Sequence, residues 1–317
     1  MIALLDKIYF LCNGDTYNKS LFTRGISFMV RIFANIYARY FMSVKKKQGT
    51  LTDNTIICSL TSFPARIKSV WMTVATLLNQ NYNDLRVVLW LSKKQFKDKS
   101  SLPKTLLKLE SKGLLIKFLE DDLRPHKKYY GCLTEFPNNT FITFDDDVLY
   151  HPDLVNRLVA VHQMRPDTIV CNRAMKLNGG GKYRTWGQYR PVSMQKSLVE
   201  SYNLNLIPTG IGGVLYPKGC FQGTLVLNAD VIKQTTLNTD DLWLNFWARF
   251  NHVQVLHSGY RYGLITLFKS QQSSLTKLNV AKTMDSSNRN DLEKDKLSSW
   301  AKIHLGCDFF VNLKNKV

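Results

Sequence analysis

What this chain lacks narrows its chemistry. The six cysteines, Cys12, Cys58, Cys132, Cys171, Cys220 and Cys307, form no Cys-x-x-Cys pair and no Cys/His cluster at zinc spacing. That excludes the common structural zinc modules, and a reduced, cytosolic compartment fits best. No charge-free stretch approaches the roughly 18 residues needed to span a bilayer. Met1 to Asn13 lacks the basic start and small-residue cleavage site of a secretory signal, and Asp6 interrupts its apolar run. Complete glycine motifs are missing too. In Asn178-Gly179-Gly180-Gly181-Lys182, Tyr183 replaces the Ser/Thr of a phosphate loop and the earlier glycine is absent. Thr209-Gly210-Ile211-Gly212-Gly213 lacks the last glycine of the dinucleotide fingerprint. These glycines instead mark tight turns, or a loop whose backbone approaches a ligand. There are no internal repeats and no low-complexity tracts.

Acidic residues are also scarce. Asp and Glu number 24 against 43 Lys and Arg, a net charge of +19 over 317 residues. This balance favours polyanionic partners: nucleic acid, anionic lipid or phosphorylated substrates. With 44% hydrophobic residues, the chain is globular and long enough for one large or two intimately packed domains with a substantial core.

Against that scarcity, Asp145, Asp146 and Asp147 stand in a row after the apolar run Thr140-Phe141-Ile142-Thr143-Phe144. Five β-prone residues predict a buried strand, which puts the carboxylates at its C-terminal end, where open α/β sheets bind ligands. Three adjacent carboxylates repel one another and are tolerated if solvated, partly protonated or gathered about a cation. An acidic turn that caps the next helix, starting at Pro152-Asp153-Leu154, accounts for them equally.

Leu21 to Val44 reads as a basic amphipathic helix, with Arg24, Arg31 and Arg39 broadly on one side and Lys45, Lys46 and Lys47 after it. It suits an anionic membrane interface, or packing on the domain through Phe28, Ile32, Ile36 and Tyr40. From Leu51 strands and helices alternate: strand at Thr55 to Leu60, helix at Ser69 to Asn79, strand at Leu85 to Leu91, helix at Pro103 to Ser111, strand at Leu115 to Leu119, then the Thr140 strand. This predicts right-handed crossovers and a largely parallel sheet. Asp240-Asp241 opens a helix bearing Trp243 and Trp247 on one face, and Leu292 to Leu305 predicts a last helix. The domain division is 1–50 for the helical arm, 51–157 for the nucleotide-binding half, 158–275 for the acceptor-binding half and 276–317 for the tail.

Taken in order, Ser59-Leu60-Thr61-Ser62-Phe63-Pro64-Ala65-Arg66 after the first strand, Leu77-Leu78-Asn79-Gln80-Asn81-Tyr82, the "FDDDVLYHP" segment and Asp240-Asp241 resemble the GT-A glycosyltransferases. Specifically, they resemble the family-2-like bacterial enzymes of capsule and lipopolysaccharide synthesis. The likeness runs from about Thr55 to His257. Where many of that family have Val-Asp-Asp after the second strand, this chain has Leu89-Trp90-Leu91-Ser92, and their Glu-Asp pair is here Asp240-Asp241.

The resemblance implies a GT-A, Rossmann-like sheet and transfer, with inversion, from a nucleotide-diphosphate sugar, a UDP-sugar by family habit, to a glycan or lipid-linked oligosaccharide. Mn2+ or Mg2+ held by Asp145 and Asp147, with His257 completing the sphere, would bridge the diphosphate. Asp146 would contact ribose or sugar, Ser59, Thr61 and Arg66 would line the nucleotide, and Lys127, Lys128 and Tyr129 would neutralise the diphosphate. Asp241 would act as the base for the acceptor hydroxyl with Asp240 in support. His257 as a plain hydrogen-bonded strand-end residue, Arg66 as a surface arginine, and Trp186 and Tyr216 as acceptor-stacking or merely structural aromatics stay open. The implied location is the inner face of the cell membrane, peripherally bound. A sugar nucleotidyltransferase is the second reading, although Ser59 to Arg66 contains no glycine. A nucleic-acid-binding protein is the third, although the basic residues are spread through the chain and the preferred reading expects no nucleic acid.

Overall fold

Apolar runs too short for helices and bounded by turn residues become the centre of a sheet that is buried on both faces. The computed structural model describes residues 1–13, 20–44, 50–177, 186–190, 196, 205–268 and 289–307. Two helices, α1 (Ile2–Asn13) and α2 (Leu21–Tyr40), come first. The alternating region follows as β1 (Ile56–Thr61), α3 (Val70–Leu78), β2 (Leu85–Ser92), a short α4 (Lys104–Leu107), β3 (Leu114–Leu119), α5 (Lys127–Glu135) and β4 (Phe141–Phe144). The second half holds β5 (Val148–Leu149), α6 (Leu154–Met164), β6 (Ile169–Cys171), β7 (Ala174–Lys176), β8 (Gly187–Tyr189), β9 (Leu206–Pro208) and β10 (Val214–Tyr216). After these come α7 (Ala229–Thr235), α8 (Asp240–Phe250), β11 (Val255–His257), β12 (Ile265–Thr266) and α9 (Arg289–Leu305).

Seven strands form the main sheet in the order β11-β6-β10-β4-β1-β2-β3. β10 runs antiparallel to both neighbours and the other pairings are parallel. This is the mostly parallel α/β architecture with flanking helices expected from the sequence. The chain steps outward from β1 to β3 and then returns to place β4 on the other side of β1. Such a reversal opens a crevice at the carboxyl ends of the two strands, and Ser62 and Asp145 immediately follow those ends. Because both faces are covered, strand residues alternate between two cores. Val87, Leu89 and Leu91 pack with α3 and α6 on one side, and Val88 and Trp90 with α5 and α8 on the other.

The helix expected from Pro103 to Ser111 is shorter. It ends at Leu107, and a 3-10 turn at Glu110–Lys112 closes on Gly113 at φ 109. The capping account of the aspartate triplet also fails. α6 starts after Asp153, whose side chain makes no cap bond and instead accepts from Asn81 Nδ2 at 2.5 Å, so the triplet is not spent on a helix end.

The amino-terminal arm packs on the domain by the opposite face from the one expected. Val30, Ala34 and Ala38 of α2 are buried against Ile2, Met72, Leu149, Ile265 and Leu267. The alanines permit close approach, and Arg31 donates to the carbonyls of Thr266 and Leu267 at 2.9 and 2.8 Å. Phe28, Ile36 and Tyr40 are therefore 58%, 43% and 69% exposed. α1, not foreseen as an element, is pinned by Asp6, which accepts from the Gly263 and Leu264 amides at 3.0 Å. Burial raises the Asp6 pKa to about 6. The lysine run Lys45–Lys47 and the glycine run Asn178–Tyr183 lie outside the described residues, as does the start of the polar tail at Ser286.

One contact tests how α5 is seated. A Cβ on Gly131 would lie 2.3 Å from the Trp90 indole, and Trp90 is fully buried. In an open helix Gly→Ala stabilises by about 1 kcal/mol, but overpacking a rigid core costs about 1–3 kcal/mol. The clash wins here because an indole between sheet and helix has nowhere to go. Gly131→Ala is expected to lower unfolding free energy in chemical denaturation, and a stabilised variant would show that α5 stands farther from β2.

Candidate functional site

The acidic turn is held rigid from below. Asp145 places its amide 3.0 Å from the Tyr150 hydroxyl, the Asp146 carbonyl accepts from Thr73 Oγ1 at 3.1 Å, and the Asp147 carbonyl accepts from the Leu267 amide at 2.8 Å. The three carboxylates then diverge. Asp146 is buried, accepting from Ser62 Oγ at 2.6 Å and from Arg66 Nη1 at 2.6 Å. Asp147 lies 3.2 Å from Arg66 Nη2. Asp145 is the most open of the three, its side chain 35% exposed. Burial disfavours charge on Arg66, but Asp146 and Asp147 outweigh it and hold the guanidinium above its ordinary pKa. Burial raises the Asp146 carboxyl, with Arg66 and Ser62 opposing. Arg66 is thus a buried clamp under the turn, which rules out the surface-arginine alternative.

Across the crevice, Asp240 and Asp241 occupy the first turn of α8, where a helix dipole favours negative charge. Lys128 joins the two groups. Its ammonium lies 3.1 Å from Asp145 Oδ1 and 2.9 Å from Asp240 Oδ2, with its side chain only 4% exposed. Burial works against the charge, yet Asp240, Asp145 and Asp241 together push the Lys128 pKa well up. Asp241 Oδ1 accepts from the Gly210 amide at 3.1 Å. Burial and its neighbour Asp240 raise the Asp241 carboxyl well above its ordinary value, Lys128 opposing. Gly210 lies close against the cluster: a Cβ there would stand 2.9 Å from Asp145 Oδ1 and 3.0 Å from Lys128 Nζ, so a larger residue would push these side chains from their present positions. The glycine run that fails both nucleotide motifs is a loop whose backbone approaches this carboxylate cluster.

Asp145, Lys128, Asp240 and Asp241 therefore meet, although they are distant in sequence. Other expected residues are engaged elsewhere. Ser59 is buried, donating to the Lys128 carbonyl at 2.5 Å and accepting from Trp90 Nε1 at 2.9 Å. It seats α5 and offers no group to a nucleotide. Thr61 Oγ1 donates to the Trp90 carbonyl at 2.7 Å. Trp90 is thus the core partner of both residues. Lys127 pairs with Asp122, and Tyr129 lies buried with its hydroxyl 2.9 Å from His126 Nδ1. The Thr236 carbonyl, 2.6 Å from His126 Nε2, accepts only and so fixes the proton on Nε2. Burial lowers the His126 pKa to about 4. Tyr216 stacks on Phe141 at 5.0 Å inside the sheet core, and Trp186 is buried in that core too. Neither presents a ring to an acceptor.

His257 ends β11, three strand positions from β4, roughly 14 Å at ordinary strand spacing. It is buried, its Nδ1 accepts from the Gly259 amide at 3.0 Å, and burial lowers its pKa to about 4. Among the described residues no three His, Cys, Asp or Glu side chains converge as a metal-ligand set, so Asp145, Asp147 and His257 are not assembled into one here. Ser62 was missed by sequence reasoning. Its position just past the β1 end, opposite the triplet, was the available signal.

No family model and no curated protein matches this chain. Solved structures with some similarity include S. aureus TarS 1–349, at 13% identity over 80% of this chain and 72% of that one, with a TM-score of 0.42. Another is the mannosyltransferase PcManGT from Pyrobaculum calidifontis in complex with GDP-Man and Mn2+, at 11% over 80% and 68%, with a TM-score of 0.38. A third is apo UDP-glucose pyrophosphorylase, at 9% over 66% and 90%, with a TM-score of 0.37. The likenesses are slight, and the functional reading rests on the site.

Two substitutions test the cluster. Removing one member of a buried ionic group leaves uncompensated charge and costs about 3–5 kcal/mol, so Lys128→Met should be strongly destabilised at neutral pH and recover partly in acid as the carboxylates protonate. Asp241 behaves oppositely. Its folded pKa is raised, so the native state binds more protons than the unfolded one, and stability falls as pH rises above the ordinary carboxylate value. Asp241→Asn removes that penalty. Its melting temperature should equal or exceed that of the parent at pH 8, the difference closing towards pH 4, and a lower melting temperature at pH 8 would contradict the crowding described here.

Proposed function

We propose that this protein is a metal-dependent, inverting glycosyltransferase that moves a sugar from a nucleotide-diphosphate donor to a glycan or lipid-linked acceptor in bacterial surface-polysaccharide synthesis. The observation that carries this is the meeting of Asp145, at the carboxyl end of β4, with Asp240 and Asp241 around one buried lysine at the sheet reversal. A carboxylate for the donor side and a carboxylate for the acceptor side are what transfer between two bound substrates requires.

A divalent cation fits the charge of the site. Five carboxylates, Asp145, Asp146, Asp147, Asp240 and Asp241, gather here, with Arg66 paired to Asp146 and Asp147 and Lys128 to Asp145 and Asp240. Mg2+ or Mn2+ bound through one or two carboxylates and substrate phosphates needs no full protein cage. Asp145, the most open oxygen donor, would hold it, with Asp147 as the second ligand after release from Arg66. When bound, the ion stabilises charge on the departing diphosphate. Asp241 has the chemistry of a base: its raised pKa makes it a better proton acceptor than an ordinary carboxylate, and the Gly210 amide fixes its orientation. Lys128 holds Asp145 and Asp240 in place, a role assigned in preference to direct contact with the diphosphate.

Attachment to an anionic membrane surface belongs to the same reading. Phe22, Met29, Phe33, Ile36 and Tyr40 are exposed on α2 and recur at spacings that share one helix face, with the chain at +19. No helix of the described residues is long and apolar enough to cross a membrane, so the helix would lie in the interface.

Donor binding and transfer separate the roles. Asp145→Asn should abolish manganese-dependent binding of nucleoside diphosphates in calorimetry, and chelation should abolish transfer. Asp241→Asn should slow transfer by roughly a hundredfold or more while nucleotide affinity stays near the parent value. Full transfer in chelator, or a fully active Asp241→Asn, would sink the assignment. Flotation with anionic vesicles tests the arm: Phe22→Glu with Phe33→Glu should release the protein, and unchanged binding would move the attachment elsewhere.

A further inference from the structure

A cavity of about 300 Å3 lies between the amino-terminal arm and the second half of the chain. Its walls include Tyr9 and Phe10 of α1, Tyr189 and Arg190 at the end of β8, Arg173 after β6 and Arg261 after β11. Among the described residues, three arginines and no acidic residue line it, in contrast to the acidic crevice beside it. The two adjoin through the Gly210–Gly212 turn: Ile211 lines the cavity, and the Gly210 amide holds Asp241. Arg173 is fixed to that junction, donating from Nη1 to Thr209 Oγ1 at 2.8 Å. Arg261 sits over the Phe10 ring at 4.9 Å from its centroid.

We propose that this cavity is an acceptor subsite that binds a phosphate group carried by the acceptor glycan; the proposal rests on the transferase reading. Guanidinium groups match phosphate oxygens in paired, charge-assisted hydrogen bonds. Three of them in one pocket oppose a dianion better than a single carboxylate charge. The tyrosine and phenylalanine rings supply flat apolar surface for a sugar carrying that group. Position gives the acceptor role: the cavity meets the crevice on the side of the proposed base. The arm acquires a purpose beyond attachment, because α1 is one wall. Its placement is enforced by Asp6, and a Cβ on Gly263 would come within 2.5 Å of the Asp6 carbonyl.

The full-length protein in EDTA is treated with phenylglyoxal, which modifies accessible guanidinium groups, and each arginine is followed by peptide mass spectrometry. Inorganic phosphate, glucuronate and methyl glucoside are the three probes, at matched ionic strength. Phosphate is expected to slow modification of Arg190 and Arg261 by about threefold or more, as occupancy of a site requires, and to leave Arg165, just past the end of α6, unchanged. Methyl glucoside should not protect. No protection by phosphate overturns the subsite, and equal protection by glucuronate overturns the choice of phosphate over carboxylate. Manganese-dependent nucleotide binding by the same protein, before EDTA and phenylglyoxal are added, reports the donor site separately, so failure of the subsite and failure of the transferase reading give different results.

Discussion

The site depends on one buried ammonium. Lys128 stands in the first turn of α5, where the helix dipole disfavours a cation, and it is almost wholly removed from water. Either cost alone would push its pKa down. It remains charged because Asp145 and Asp240 approach it from two different elements, and the Coulombic gain is large where water is excluded. The dependence is mutual. Without the ammonium, carboxylates brought together from β4 and α8 would repel each other, and the two halves of the crevice would have no electrostatic reason to close.

Arg66 plays the corresponding part beneath the acidic turn. By binding Asp146 and Asp147 it turns a run of three like charges into one clamped pair and one open carboxylate. The arrangement explains why three aspartates occur where one faces outward. Two hold the turn against the sheet, and the third is presented at a fixed point beside Lys128. Two cations stand among five carboxylates here, an excess of negative charge that a divalent ion or a proton would relieve.

The parallel half of the fold was legible because its strands are buried on both faces. Runs such as Leu85 to Leu91 have no polar alternation to confuse with a surface helix, and flanking turn residues mark their ends. The same reasoning could not find β6, β7, β9 or β10, each of three residues, since so short a strand carries no periodicity. Within the site, Asp145 and Asp241 were legible through their place at a strand end and a helix start and through family resemblance. Lys128 was visible only as part of a basic pair, because nothing in His126-Lys127-Lys128-Tyr129 announces that one lysine pairs with half-buried Asp122 and the next with a buried cluster. For α2 the apolar residues pointed to the wrong face. Packing against the domain selected alanines and an arginine able to reach open backbone carbonyls, which left the aromatics outside.

That inversion has a further consequence. An arm that presents aromatics outward on α2 and also forms one wall of an arginine-lined cavity with α1 couples the two surfaces through a single packed unit. Asp6, buried and hydrogen-bonded to Gly263 and Leu264, ties α1 to the segment that carries Arg261 and Tyr262. Arg31 and Asn35 tie α2 to the carbonyls of Thr266 and Leu267 just beyond it. Both helices thus grip one stretch of chain, residues 261–268, which also runs beside the acidic turn through the Leu267 amide on Asp147. A force or ligand that shifts the arm must move this stretch, and with it one wall of the cavity and one support of the acidic turn. In this architecture the arm is built into the site, so its removal would disturb the chemistry as well as any attachment it provides.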